Sequence, residues 1–173
     1  MLKRSLLMVY TGDGKGKTTA AFGLVYRALG RRWKVGVIQF IKGKWVTGER
    51  MHSKKIEAVD HFVMGEGFTW ESQNLENDKA AAREAWEKAL SLIEAGAHKL
   101  IVLDEFTYPL TFGWLDEQEV IERLKARPVH VNVVITGRDA SAAMIEAADL
   151  VSEMKLVKHP FEKGLAALVG VDF

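Results

Sequence analysis

The chain has 173 residues, 48% hydrophobic and 27% charged, with a formal net charge of +1 and no cysteine. That length supports one domain with its own core, and the near-neutral balance argues against a nucleic-acid partner or an anionic membrane surface. Without cysteine there is no disulfide, iron–sulfur cluster, thiolate zinc site or cysteine nucleophile, so redox chemistry needs an external reductant, and a cytoplasmic location suits the chain.

From the N-terminus, two basic residues precede a short apolar run. The run is too short for a signal peptide and leads straight into glycines, so it predicts a buried strand over residues 6–10. Compact apolar runs at 35–40, 100–103 and 131–136 predict further strands buried on both faces. Weaker strand candidates lie at 61–64, 151–157 and 165–171. Helical patterns fall between them: 18–29 closed by Gly30, 78–95 closed by Gly96, 116–126 and 140–148. The third of these carries acids early and bases late, as the helix dipole favours. No stretch approaches the ~20 apolar residues that span a membrane. No repeat or linker appears, so residues 1–173 are expected to form a single nucleotide-binding domain. Alternating strands and helices predict an α/β fold with a mostly parallel sheet and helices on both faces. Ligands in such sheets bind beyond the carboxyl ends of the strands.

The first strand runs into Thr11-Gly12-Asp13-Gly14-Lys15-Gly16-Lys17-Thr18-Thr19. Gly16-Lys17-Thr18 is the strong half of a P-loop. Its glycines let backbone N–H groups turn toward phosphate, Lys17 supplies charge, and the Thr18 hydroxyl is placed for Mg²⁺. Thr11 stands where the general pattern has its first glycine, while Gly12 and Gly14 are extra. Leu100–Leu103 then ends in Asp104-Glu105, a Walker B arrangement that holds Mg²⁺ near the phosphates. Alone the pair equally suits a helix N-cap and a solvated side chain, and spacing does not say which carboxylate meets the metal. Arg138, ending the 131–136 run, suits a polyphosphate contact or an ordinary surface role. Phe68 and Trp70 follow Gly65 and Gly67, on a segment that could cover a flat apolar ligand; composition alone favours plain core packing. The five histidines show no metal-ligand spacing.

In combination these residues resemble the P-loop class of ATP:corrinoid adenosyltransferases. The matching pieces are the loop from Thr11 to Thr19 with the helix after it, Gln39-Phe40-Ile41-Lys42-Gly43, Gly48-Glu49-Arg50, Gly67-Phe68-Thr69-Trp70-Glu71, Val102-Leu103-Asp104-Glu105, Thr136-Gly137-Arg138, and Lys158-His159-Pro160-Phe161 with Gly164. They run through nearly the whole chain in order, and Thr11 is usual in that family. The resemblance implies a RecA-like P-loop fold. It implies that a reduced corrinoid, cob(I)alamin or a precursor, attacks the 5′ carbon of ATP and releases triphosphate. ATP is then bound in a reversed sense along the loop, by residues Gly12 to Thr19 with help from Arg27. Lys17, Thr18, Glu105, Arg138 and Mg²⁺ would neutralise the leaving triphosphate, with Asp104 or Glu105 on the metal. Phe68 and Trp70 stand where the family displaces the lower axial ligand of cobalt. The family also implies a flavodoxin-like flavoprotein as electron donor and a homodimer. Asp13 stands where asparagine is common, and the N-terminal extension of some relatives has no counterpart before the first strand. A small-metabolite kinase is the main rival, but no arginine-rich lid segment is present. A motor-type ATPase acting on nucleic acid is the other, and near-neutral charge argues against it.

Overall fold

The computed structural model describes residues 5–40, 46–64 and 75–173. Six strands form one sheet: β1 (Leu7–Thr11), β2 (Val35–Gln39), β3 (Val59–Val63), β4 (Leu100–Asp104), β5 (Asn132–Thr136) and β6 (Leu150–Glu153). The helices are α1 (Lys17–Leu29), α2 (Gly48–Ser53), α3 (Leu75–Ala95), α4 (Thr107–Thr111), α5 (Glu117–Lys125) and α6 (Ala142–Ala147). Every strand pair is parallel, in the spatial order β3-β2-β4-β5-β1-β6. Parallel neighbours need crossovers, and the helices supply them.

The apolar runs read as strands because both faces of the sheet are covered. Side chains alternate between two cores. Leu7, Val9, Ile38, Ile101, Leu103, Val133 and Ile135 pack with Trp86 and Ile93 of α3, Val120 and Leu124 of α5, and Met144 of α6. Met8, Val35, Val37, Leu100, Val102 and Val134 pack against Ala21, Val25 and Ala28 of α1. The first core is pinned by Phe106, which is fully buried with its ring 4.6 Å from that of Phe40 and 5.2 Å from that of Trp86.

The differences from the sequence-based expectation have local causes. Residues 165–171 form no strand; a 3-10 helix at Pro160–Lys163 is followed by turns, with Gly164 and Gly170 at positive φ. The 151–157 candidate shrinks to the exposed edge strand β6. The short helices α2 and α4 carry too few residues for a readable period. Gly30 follows α1 but stays right-handed, and the left-handed residue that turns the chain is Arg32. Gly96, by contrast, closes α3 at φ 64°.

Candidate functional site

A cavity of about 1100 Å³ opens at the carboxyl ends of β1, β2, β3 and β4. One wall is the phosphate loop; another is the chain from Leu156 to Phe173. Of the residues singled out from sequence, Asp13, Gly14, Lys15, Gly16, Lys17, Thr18, Thr19, Asp104, Glu105 and Arg138 all line it. Arg27 does not: it sits in the last turn of α1, about 15 Å along the helix axis from Lys17. Phe68 and Trp70 lie outside the described residues.

The loop is shaped by its neighbours as much as by any ligand. Gly14 donates its N–H to the Met154 carbonyl at 2.7 Å, just past β6. A Cβ on Gly12 would lie 2.5 Å from that carbonyl oxygen, and one on Gly14 would lie 2.7 Å from the Lys155 oxygen. No side chain fits there, so these two glycines answer to the β6 backbone. Thr11 is also explained: its hydroxyl accepts the Ala140 N–H at 3.2 Å and ties the loop to the segment after β5. Gly16, at φ 111°, opens α1, whose first turn carries neither a side-chain cap nor an acidic residue. That leaves the positive end of the helix facing the cavity for an anion.

Lys17 is buried and donates to the carbonyls of Gly12 at 2.6 Å and Gly14 at 2.8 Å. Burial lowers its pKa, with the Glu105 charge acting the other way. Asp104, 3% exposed, takes the Thr18 hydroxyl at 2.9 Å and the Thr136 hydroxyl at 2.7 Å on Oδ1, and the Gln39 amide at 3.1 Å on Oδ2. Because β5 lies beside β4, the Thr136 hydroxyl reaches both members of the acidic pair, while Thr18 makes the direct link from the phosphate loop.

Glu105 is held differently. Its φ of 58° is unusual for a residue with a side chain. Asp104 is fixed by its hydrogen bonds and Phe106 by its burial, and the Glu105 N–H is anchored on the Thr136 hydroxyl at 3.0 Å. The connecting residue absorbs the turn. Its Oε2 is buried with no hydrogen-bond partner, and burial, reinforced by Asp104 and opposed by Lys17 and Arg138, pushes its pKa up to about 7. A buried carboxylate oxygen without a donor is a poor resting state and a good cation ligand. With the Thr18 hydroxyl, which lines the same cavity, this donor set fits Mg²⁺ completed by phosphate oxygens and water. No cluster of three His, Cys, Asp or Glu side chains among the described residues could hold a metal unaided. Arg138 reaches only 3.9 Å from Asp13 in an exposed pair, a weak attachment that leaves the guanidinium available to an incoming anion. Lys15 is paired with Asp172 across the mouth of the cavity.

Sequence reasoning did not assign roles to Thr136, Gln39 and His61, or to the C-terminal wall with Phe161 and Asp172. The signals available for Gln39 and Thr136 are a polar residue ending an apolar strand and their places in the segments that carry the family resemblance.

The family model for ATP:corrinoid adenosyltransferase BtuR/CobO/CobP matches residues 3–173. The chain is similar to the corrinoid adenosyltransferase of Pseudomonas aeruginosa, 49% identical over 172 residues that cover 99% of this chain and 85% of the relative. It is 45% identical to that of Escherichia coli K12 over 171 residues, covering 99% and 87%. Corrinoid adenosyltransferase CobA of Salmonella typhimurium is 45% identical with the same coverage. Among solved structures, the flagellar accessory protein FlaH from Methanocaldococcus jannaschii superposes with a TM-score of 0.58 at 12% identity, covering 86% of this chain and 70% of that one, a likeness of fold alone.

Proposed function

The chain belongs to the ATP:corrinoid adenosyltransferase family, and on that premise we propose how its residues carry out the reaction. The protein transfers the 5′-deoxyadenosyl group of ATP to the cobalt of a reduced corrinoid. Co(I) supplies an electron pair to the ribose 5′ carbon, a Co–C bond forms, and the C–O bond breaks with its pair leaving on triphosphate. Such a nucleophile needs no general base. The protein's work is to hold the 5′ carbon in line and to stabilise the departing charge.

The observation that carries this reading is the size and grading of the cavity. At about 1100 Å³ it exceeds the ~300–1,000 Å³ usual for one small ligand. It is cationic at the loop and apolar along Phe161, Ala167 and Val171. In this reading the triphosphate lies on the loop amides and Lys17, which turns from the Gly12 and Gly14 carbonyls to the phosphates. Thr18 and Glu105 hold Mg²⁺, with Asp104 behind them. When bound, the metal supplies positive charge that lowers the cost of triphosphate leaving. Arg138 swings from Asp13 to the same oxygens. The ribose and corrinoid occupy the apolar part, with Phe68 and Trp70 assigned to the lower face of cobalt. One nucleotide-binding domain, a homodimer, a flavodoxin-like donor and a cytoplasmic setting complete the proposal. Among the described residues no helix is long and apolar enough to cross a membrane.

The test is an anaerobic visible spectrum of the protein with chemically reduced cobalamin and Mg·ATP. A light-sensitive alkylcobalamin spectrum, dependent on ATP and accompanied by triphosphate, is expected. No shift with cobalamin or an incomplete corrinoid, or ADP as the stoichiometric product, would favour a kinase instead.

A further inference from the structure

The hydrogen bonds at Asp104 continue sideways through the sheet. Gln39 is the register neighbour of Asp104, and Val37, two residues back on β2, is the neighbour of His61 on β3. Pleat alternation therefore puts His61, Gln39, Asp104 and Thr136 on one face, the face that α1 covers. They stand on β3, β2, β4 and β5, which are consecutive in the sheet. The contacts follow that order: His61 Nε2 lies 3.0 Å from Gln39 Oε1, Gln39 Nε2 donates to Asp104 Oδ2 at 3.1 Å, and Thr136 donates to Asp104 Oδ1 at 2.7 Å.

Chemistry fixes the direction of each bond. A carboxylate only accepts, so the Gln39 nitrogen faces Asp104 and its oxygen faces His61. His61 must then carry its proton on Nε2. Burial lowers the His61 pKa; Asp104 opposes this, while Arg50 and Lys54 add to it, so the neutral ring is favoured. Every donor in the row points toward Asp104, and such chains polarise one another. The consequence falls on Thr18: its hydroxyl proton is committed to Oδ1, which leaves its lone pairs for a cation.

We propose that Gln39, oriented by His61, is a positioning residue for the magnesium–triphosphate site: it holds Asp104 Oδ2 so that Oδ1 stays on the Thr18 hydroxyl. The inference rests on the reading that this cavity takes a magnesium nucleotide. Partners of metal ligands commonly govern metal affinity in this way.

Titration calorimetry of ATP with Mg²⁺ and with EDTA separates this role from a merely structural one. In Gln39→Met, which keeps the side-chain bulk without a donor, the tightening of ATP by Mg²⁺ is expected to fall about 10- to 100-fold, with binding in EDTA unchanged. His61→Phe should show a smaller loss in the same direction, and His61→Gln, which keeps an N–H donor, should restore most of it. Equal weakening with and without metal, or no change in folded Gln39→Met, overturns the proposal. If Gln39→Met does not fold, the His61→Phe and His61→Gln pair decides. A wild type without metal-dependent tightening also overturns it. Wild type that binds Mg·ATP in this manner yet forms no alkylcobalamin leaves the positioning role intact and refutes the adenosyl-transfer reading.

Discussion

Replacing Glu105 by glutamine tests the carboxylate that the fold strains most. Glutamine matches the protonated acid in shape, so the substitution isolates charge. Burial raises the Glu105 pKa from 4.5 to about 7, a difference equivalent to about 3 kcal/mol between ionised and neutral forms. The sign follows from linkage. The folded pKa lies above the unfolded one, so stability is fully present below pH 4.5 and is lost as pH rises through 7. Glu105→Gln escapes that loss. In metal-free buffer the variant and wild type should melt together near pH 4.5. By pH 8 the variant should be more stable by up to about 3 kcal/mol, or roughly 6–12 °C in a chain of this size. Mg·ATP should reverse the order, because a cation on Oε2 stabilises the ionised wild type and not the amide. Differential scanning fluorimetry across pH, with and without Mg·ATP, measures all of this. A stability difference that does not change with pH would falsify the burial argument, and equal stabilisation of both proteins by Mg·ATP would remove Glu105 from the metal site.

Lys17→Ala should lower adenosyl transfer by about 100-fold or more, as loss of one donor to a developing oxyanion does, read as kcat/KM with chemically reduced cobalamin. Phe68→Ala with Trp70→Ala should cripple turnover when a flavoprotein reduces Co(II) and spare much of it when Co(I) is supplied chemically; equal losses in both assays leave these two residues only a binding role. Phe106→Ala should cost about 3–5 kcal/mol in denaturant unfolding, because it empties a fully buried site between Phe40 and Trp86. It should also reduce Mg·ATP affinity, since Phe106 anchors the turn that presents Glu105.

The local half of the site was legible along the chain. Gly16-Lys17-Thr18 after an apolar run must be a strand-to-helix turn, because only that geometry gathers N–H groups and a lysine on one anion. Asp104-Glu105 after Leu100–Leu103 must stand at a strand's carboxyl end, because four buried apolar residues leave the first charged pair at the sheet's rim. Period and length likewise predicted five of the six strands and helices α1, α3, α5 and α6 to within a few residues, and the 151–157 candidate overlaps β6. Helices α2 and α4 escaped because so few residues show no period, whereas the equally short α6 is marked by its alanines, and residues 165–171 misled because an apolar run does not show whether a sheet edge is there to receive it.

What only the tertiary structure decided is who neighbours whom. Strand order is set by crossovers over long sequence distances, so nothing near Thr136 announces that it will bridge Asp104, 32 residues away, and hold the Glu105 N–H. Gly12 and Gly14 look like phosphate-binding glycines, yet it is the backbone at Met154 and Lys155 that excludes their side chains. Spacing leaves the two carboxylates alike, whereas packing gives them different surroundings, with three donors around Asp104 and none at Glu105 Oε2. Sequence specifies which groups are present and which way a strand must turn, whereas burial and hydrogen-bond supply, which set charge and metal affinity, exist only once distant segments have closed on one another.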